Sequence, residues 1–318
     1  MTLEPAAVRR AGAQLEGLVA QAARLPPMRT AVVHPVDELS LAGALAAAAA
    51  GLMLPVLVGP EGRIRAAARA AGLGLEGIEI VPTEYSQASA ARAVALARAG
   101  EVAAIMKGAL HTDELLRAAL DPACGLRTAR RMSHVFVCDT ALYPRLLLIT
   151  DAAVNIYPTL TDKRDIVQNA IDLAHALGIA SPRVAILSAI ETVSEQIRST
   201  IDAAALCKMA ERGQITGGVL DGPLAFDNAV SPAAAVAKHL HSPVMGVADI
   251  LVVPDLEAGN MLAKQLEYLA GAVLAGVALG ARVPIILTSR ADPTVARLSS
   301  TAIARLLAGW PQSHYAIA

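Results

Sequence analysis

Aromatic residues are nearly missing from this chain. Phe, Trp and Tyr make up 3% of its 318 residues, so the core has to be built from Ala, Leu, Val and Ile, and base-stacking platforms for single-stranded nucleic acid are not expected. A charge excess is missing too. The formal net charge is -1, so no global field draws the protein to nucleic acid or anionic lipid, and any anion site must be local. Only three cysteines occur, Cys124, Cys138 and Cys207. Their odd number and lack of metal-ligand spacing predict free thiols in a reducing compartment, hence the cytoplasm. The N-terminal residues lack a basic region followed by an apolar core, so no secretory signal is read. One stretch, residues 39–60, carries no charge over 22 positions. Pro55 divides it into an alanine-rich helix and a strand, V-L-V-G, and no membrane span is expected.

Several motifs are also absent. There is no H-E-x-x-H, no cysteine pair with zinc spacing and no Asp-x-x-x-Asp run, so no metal is expected. Without G-x-S-x-G or G-x-x-x-x-G-K-[ST], serine hydrolysis and P-loop nucleotide hydrolysis lose their support.

What is present is a rhythm. From Thr30, short apolar runs alternate with alanine-rich helical segments, as in T-A-V-V-H, P-V-L-V-G, I-E-I-V, V-A-A-I-M, H-V-F-V-C and R-L-L-L-I-T. Strands alternating with helices predict an α/β fold with mainly parallel sheets covered by helices on both faces. The length favours two domains, because single cores stop growing near roughly 250 to 300 residues. Helices are expected over 86–99, stopped by Gly100, and over 165–177, where Ile166, Ala170, Leu173 and Leu177 share a face. Another should begin with Ser231 as N-cap and Pro232 at the first helical position. A longer one is expected over 257–279, with Leu262, Leu266, Leu269, Val273 and Val277 aligned and Gly276 and Gly280 packing closely against a neighbour.

The polar residues cluster where strands end. Residues 283–298 read V-P-I-I-L-T-S-R-A-D-P-T-V-A-R-L, a buried strand that breaks into Thr288, Ser289 and Arg290. A hydroxyl and a guanidinium at a strand's carboxyl end suit an anion. The alternative is a helix start with Asp292 as N-cap and Pro293 at the first helical position. Residues 106–112, M-K-G-A-L-H-T, end a strand in Lys107 and Gly108 and begin a helix at Thr112, a second anion cradle. Arg127, Arg130, Arg131, Ser133 and His134 precede a further strand and form either a solvated face or an anion contact. Asp151 and Asn155 follow the strand ending at Thr150, and Asn260 and Lys264 lie four apart on one helix face.

Taken together these residues resemble the phosphate acetyltransferase and phosphate butyryltransferase family. The matching segments are K-G-A-L-H-T (107–112), R-R-M-S-H-V (130–135), I-T-D-A-A-V-N-I-Y-P (149–158), L-S-A-I-E (187–191), A-D-I-L-V-V-P-D-L-E-A-G-N (248–260) and P-I-I-L-T-S-R-A-D (284–292). The resemblance implies reversible acyl transfer between coenzyme A and orthophosphate through an acyl phosphate, with no metal, no tightly bound cofactor and no covalent enzyme intermediate, usually in a homodimer. It implies two three-layer α/β/α domains of isocitrate and isopropylmalate dehydrogenase-like architecture with the active site in a cleft. One is expected over 1–143 plus 282–318, the other over 144–281. Ser289, Arg290 and Asp292 would be catalytic. Lys107, Gly108, Thr112, Arg131, Ser133, Asp151, Asn155, Asn260 and Lys264 would bind substrate.

The sequence departs from the family at one place. Acetyl-specific members carry an acidic pair several residues beyond Ser-Arg, where this chain has Val295 and Ala296. Asp292 is the nearest remaining carboxylate and is expected to act as base or base-orienter. Phosphate butyryltransferase with longer acyl chains is the alternative reading. A non-catalytic relative that binds coenzyme A or acyl phosphate is the alternative of another class, and a metal-dependent dehydrogenase lacks its metal-binding aspartates.

Overall fold

In a computed structural model that describes residues 9–288 and 292–310, the chain forms two compact units. One comprises Glu16–Met132 with the described residues from Ala275 onward. The other comprises Ser133–Leu274 with the described residues up to Leu15. The sequence boundary at 143/144 falls inside an antiparallel hairpin, whose two strands share one set of hydrogen bonds and stay in one unit. The chain passes from one unit to the other at 132/133.

The discontinuous unit begins within α1 (Ala13–Ala22), at Glu16, and holds β1 (Met28–Val33), α2 (Glu38–Ala49), β2 (Met53–Gly59) and α3 (Glu61–Ala70). It continues through β3 (Glu79–Pro82), α4 (Ser86–Arg98), β4 (Ala104–Lys107) and α5 (Thr112–Ala119). The other unit holds β5 (Ser133–Asp139), β6 (Leu147–Thr150), α6 (Leu160–Ala176), β7 (Arg183–Leu187), α7 (Arg198–Glu211), β8 (Val219–Leu224), α8 (Phe226–Val230), α9 (Pro232–Ala237), β9 (Ile250–Val252) and α10 (Leu256–Leu269). The chain returns to the first unit through β10 (Val273–Leu279), β11 (Ile285–Ile286) and α11 (Thr294–Ala308).

In the discontinuous unit the strands run β3-β2-β1-β4-β11-β10, parallel except for the β10–β11 pair. In the other unit the strands run β5-β6-β9-β7-β8, parallel except for β5–β6. The apolar runs explain this. All four residues of β4 and all four of β6 are buried, as strands covered on both faces must be. The core of the discontinuous unit joins Ala31, Val58, Ile105, Leu115 and Ile285, and that of the other joins Ile149, Ala185, Leu251 and Ala263. No aromatic ring is needed in the first of these. Among the described residues no helix is long and apolar enough to cross a membrane.

Helix ends follow their capping residues. Ser231 caps α9 with Pro232 at its first position, as expected. Thr159 and Asp162 form a reciprocal capping box on α6, which starts it at Leu160, five residues before the expected start. The long helix expected over 257–279 is not formed. It stops at Leu269, Gly271 takes φ +61°, and residues from Val273 form β10. The expected glycine helix packing falls with it, because Gly276 lies in the strand. A spacing of four satisfies both a helix face and an alternating strand, and Gly271 with the β-branched Val273 and Val277 decides for the strand.

Candidate functional site

The discontinuous unit brings the ends of β1, β4 and β11 to one edge of its sheet. Val33 pairs with Lys107, and Ile286 with Met106. Ligands bind outside such carboxyl ends in open α/β sheets. Lys107 is 9% exposed there. Gly108 follows because nothing larger fits: its amide donates to Val33 O at 3.0 Å, Ala109 donates to His34 O at 3.0 Å, and a Cβ on residue 108 would lie 2.3 Å from Val33 O. Thr112 is the first residue of α5, after His111 at the N-cap.

His34 was not expected in this group. It ends T-A-V-V-H with φ +53°, a left-handed conformation that costs a non-glycine residue about 1–2 kcal/mol. It is buried, with Nδ1 3.2 Å from Ser89 Oγ, which in turn lies 2.8 Å from Thr83 Oγ1. Burial, then the charge of Arg63, lower its imidazole pKa, against smaller opposing effects of Glu114 and Asp37. The signal in the sequence was a histidine closing an apolar strand directly before Pro35.

Ser289 and Arg290 lie outside the described residues, but the residues that flank them are held. Arg297 of α11 is 8% exposed. Its Nη1 donates to Thr288 Oγ1 at 3.4 Å and its Nε to Asp292 O at 3.3 Å, so one guanidinium ties both sides of residues 289–291. Gly43 of α2 leaves room for it, since a Cβ at 43 would meet Arg297 Cδ at 3.0 Å. The cap of α11 is Pro293 rather than Asp292, and the helix begins at Thr294. Asp292 therefore stands one residue outside the cap, with its carbonyl engaged by Arg297.

In the other unit Asp151 organises the turn after β6. Its carboxylate accepts from the amides of Ala153 and Val154, each at 3.0 Å, from the Asn155 amide at 3.1 Å, and from Asn155 Nδ2. Burial raises its pKa and those hydrogen bonds pull it back, with the upward effect winning. Gly259 allows α10 to approach this turn, because a Cβ there would sit 3.0 Å from Asp151 O and Ala152 Cβ. Asn260 Nδ2 donates to Ala152 O at 3.4 Å. Asp151, Asn155 and Asn260 are thus brought together. Lys264 instead pairs with Glu267 at 2.7 Å and lies 5.6 Å from the centroid of the Tyr268 ring. Ser133 is buried and accepts from Asn169 Nδ2 at 2.8 Å, whereas Arg131 is exposed just before the joint.

His134 has a structural setting. It is 1% exposed and meets Phe136 edge-on, ring centroids 4.4 Å apart. Burial pushes its pKa down to about 3. An unfolded chain takes up this proton near pH 6.5 while the folded chain resists until about pH 3, so the group's contribution is whole above pH 6.5 and is lost as pH falls through that window. About 2 kcal/mol should go between pH 7 and pH 5 through this residue. Urea midpoints of wild type and His134→Gln at the two pH values check it. An equal acid loss in both proteins would refute it.

The chain matches a family model described as phosphate acetyl/butaryl transferase over residues 83–305. A phosphate acetyltransferase of Rhizobium meliloti is 60% identical over 291 residues, covering 92% of each chain. A phosphate butyryltransferase of Clostridium acetobutylicum is 41% identical over 281 residues, covering 88% of this chain and 93% of the relative. Among solved structures, a branched-chain phosphotransacylase from Enterococcus faecalis V583 superposes with TM-score 0.78 at 28% identity, covering 89% of this chain and 99% of that one.

Proposed function

The chain belongs to the phosphate acetyl/butyryl transferase family, and from that premise we propose that it transfers an acetyl group reversibly between coenzyme A and orthophosphate. The observation that carries the acetyl reading is the 60% identity to a phosphate acetyltransferase, against 41% to a phosphate butyryltransferase. The buried Lys107 and tight Gly108 turn on the sheet's carboxyl edge support the binding of an anionic substrate there.

In the direction of acetyl-CoA synthesis the thiol of coenzyme A gives its proton to a base and its sulfur attacks the carbonyl carbon of acetyl phosphate. The carbon–sulfur bond forms, the carbon–oxygen bond to phosphate breaks, and phosphate leaves with the electron pair. With a thiol pKa of roughly 8.5, ionisation at pH 7 costs about 2 kcal/mol, which a carboxylate and a neighbouring cation offset. Asp292 is proposed as the base or its orienter. Ser289 and Arg290 are proposed to hold phosphoryl oxygens, and Lys107, Gly108, Thr112, Arg131, Ser133, Asp151, Asn155, Asn260 and Lys264 to bind substrate.

The reading includes a cytoplasmic homodimer of a chain with two α/β domains. Support for pairing comes from α10, which exposes Met261 at 60%, Tyr268 at 67% and Leu269 at 84%.

Initial rates with acetyl-, propionyl- and butyryl-CoA plus phosphate test the activity. Acetyl-CoA should give the highest kcat/KM, falling by about tenfold or more per methylene, since a pocket separates single methylenes by about 1–3 kcal/mol. A maximum at butyryl-CoA would move the chain to the butyryl branch. No transfer from any of the three would leave a binding protein.

A further inference from the structure

His34 does more than end an apolar strand. It keeps its left-handed backbone directly before Pro35, although a residue before proline is pushed towards extended conformations. Glycine would take that conformation freely. A larger residue persists there only where its surroundings hold it, and such positions cluster at functional sites. The surroundings are close on both sides. The His34 amide donates to Val58 O of β2 at 2.7 Å, and its carbonyl accepts from Ala109, just past β4, at 3.0 Å and from Val36 at 2.9 Å. The Val36 contact folds the chain tightly around Pro35 towards Asp37, the N-cap of α2. Glycines meet this residue from both neighbouring strands. A Cβ at Gly59 would lie 3.4 Å from His34 Cα, and one at Gly108 would lie 3.1 Å from its carbonyl oxygen.

The side chain supplies the hold. The hydroxyl of Ser89, on α4, donates to Tyr85 O at 2.9 Å. Its lone pairs therefore face His34 Nδ1 at 3.2 Å and Thr83 Oγ1 at 2.8 Å. This network assigns the proton of the neutral ring to Nδ1, which donates to Ser89. Burial, then Arg63, lower the imidazole pKa, so the ring is neutral at pH 7. Ser89 is fully buried, and a buried hydroxyl stripped of such partners is costly. The contacts thus run from the end of β3 through α4 to β1, and finish on the Ala109 amide, two residues beyond Lys107. At the same edge β11 pairs with β4 through Ile286 and Met106 and leads in sequence to Ser289 and Arg290, the residues proposed for phosphoryl oxygens. Orthophosphate is therefore the anion that belongs here.

We propose that His34 is a positioning residue for acyl transfer: the Thr83–Ser89–His34 contacts lock the left-handed turn whose carbonyl holds Ala109, and so set where Lys107 and Gly108 stand for orthophosphate. The inference deepens the acyl-transfer reading and rests on it, but uses none of its proposed catalytic residues.

Three variants separate the parts. His34→Gly keeps the left-handed backbone and deletes the imidazole. Ser89→Ala keeps the imidazole and deletes its partner. His34→Asn tolerates the left-handed backbone and carries an N–H donor as far along the side chain as Nδ1. For each, KM and kcat are measured for phosphate and for acetyl-CoA, with urea midpoints and a calorimetric titration of inorganic phosphate. His34→Gly and Ser89→Ala should lose roughly tenfold to a hundredfold in kcat/KM for phosphate, as a misplaced binding group implies, while KM for acetyl-CoA stays within about twofold. Phosphate affinity should fall with them, and His34→Asn should recover most of both losses. An unchanged KM for phosphate in Ser89→Ala would overturn the assignment while leaving acyl transfer standing. So would a fall in urea midpoint with no change in phosphate affinity, equal losses for both substrates, or a His34→Asn variant no better than His34→Gly. Should wild type transfer no acetyl group, the acyl-transfer reading fails and the phosphate titration decides by itself. Binding weakened in Ser89→Ala and recovered in His34→Asn would uphold the positioning role, and no binding by wild type would overturn it too.

Discussion

Gly108→Ala is expected to lower both stability and turnover, although it adds one methyl group. The new Cβ would lie 2.3 Å from Val33 O and 3.1 Å from the backbone of His34. Neither obstacle is a flexible side chain, so β4 and β1 must separate where they now exchange the Gly108–Val33 and Ala109–His34 hydrogen bonds. Overpacking of this kind costs about 1–3 kcal/mol, and two weakened hydrogen bonds add about 1 kcal/mol each. Lys107 and the start of α5 move with the strand end, and a displacement of about 1 Å at a reacting centre costs about a hundredfold in rate. Urea unfolding and kcat/KM for acetyl-CoA measure the two effects. A variant as stable and active as wild type would show that the turn is not held this closely.

Arg290→Ala should reduce arsenolysis of acetyl-CoA by about 10²–10³-fold, the range for removing one donor aimed at developing charge. Arsenate stands in for phosphate and its acyl ester hydrolyses, so the assay reads transfer in one direction. The loss should appear mainly in kcat, because the proposed contact strengthens as charge builds on the phosphoryl oxygens. Arg290→Lys should recover only part of it, since an ammonium supplies charge without the two-pronged geometry of a guanidinium. Stability should be preserved: Thr288 and Asp292 on either side remain tied to Arg297 of α11. Near-normal arsenolysis by Arg290→Ala would remove this residue from the mechanism.

Much of the fold was legible because apolar runs and helix stops are local. V-A-A-I-M became β4, and the Ser231-Pro232 pair opened α9. Where two periodicities coincide, local reading failed. Residues 273–279 satisfied a helical stripe on paper, and Gly271 with its left-handed backbone decided otherwise. The same limit applies to the site. K-G at 107–108 and G-N at 259–260 stood out as glycines beside polar residues, and both glycines prove to sit where a side chain would strike backbone. Arg297 and Lys163 could not be found in that way. Each looks like a surface cation on a helix, and only the packing of α11 on Gly43, or the approach of Asp202 from α7, reveals a buried charge. Asp292 was misplaced by one residue because Pro293 itself takes the capping position.

The interruption of one unit by the other fixes an order of assembly. Translation delivers β1 to β4 early, then spends about 10–30 s on Ser133–Leu274 at ordinary elongation rates before β11 can emerge. For that interval one edge of β4 lacks the strand that later covers it, and its unpaired amides and carbonyls can bind another chain. The stretch that follows Ala275 supplies β11, which closes this edge. A nascent chain arrested before Ala275 therefore combines an open sheet edge with no proposed catalytic residue.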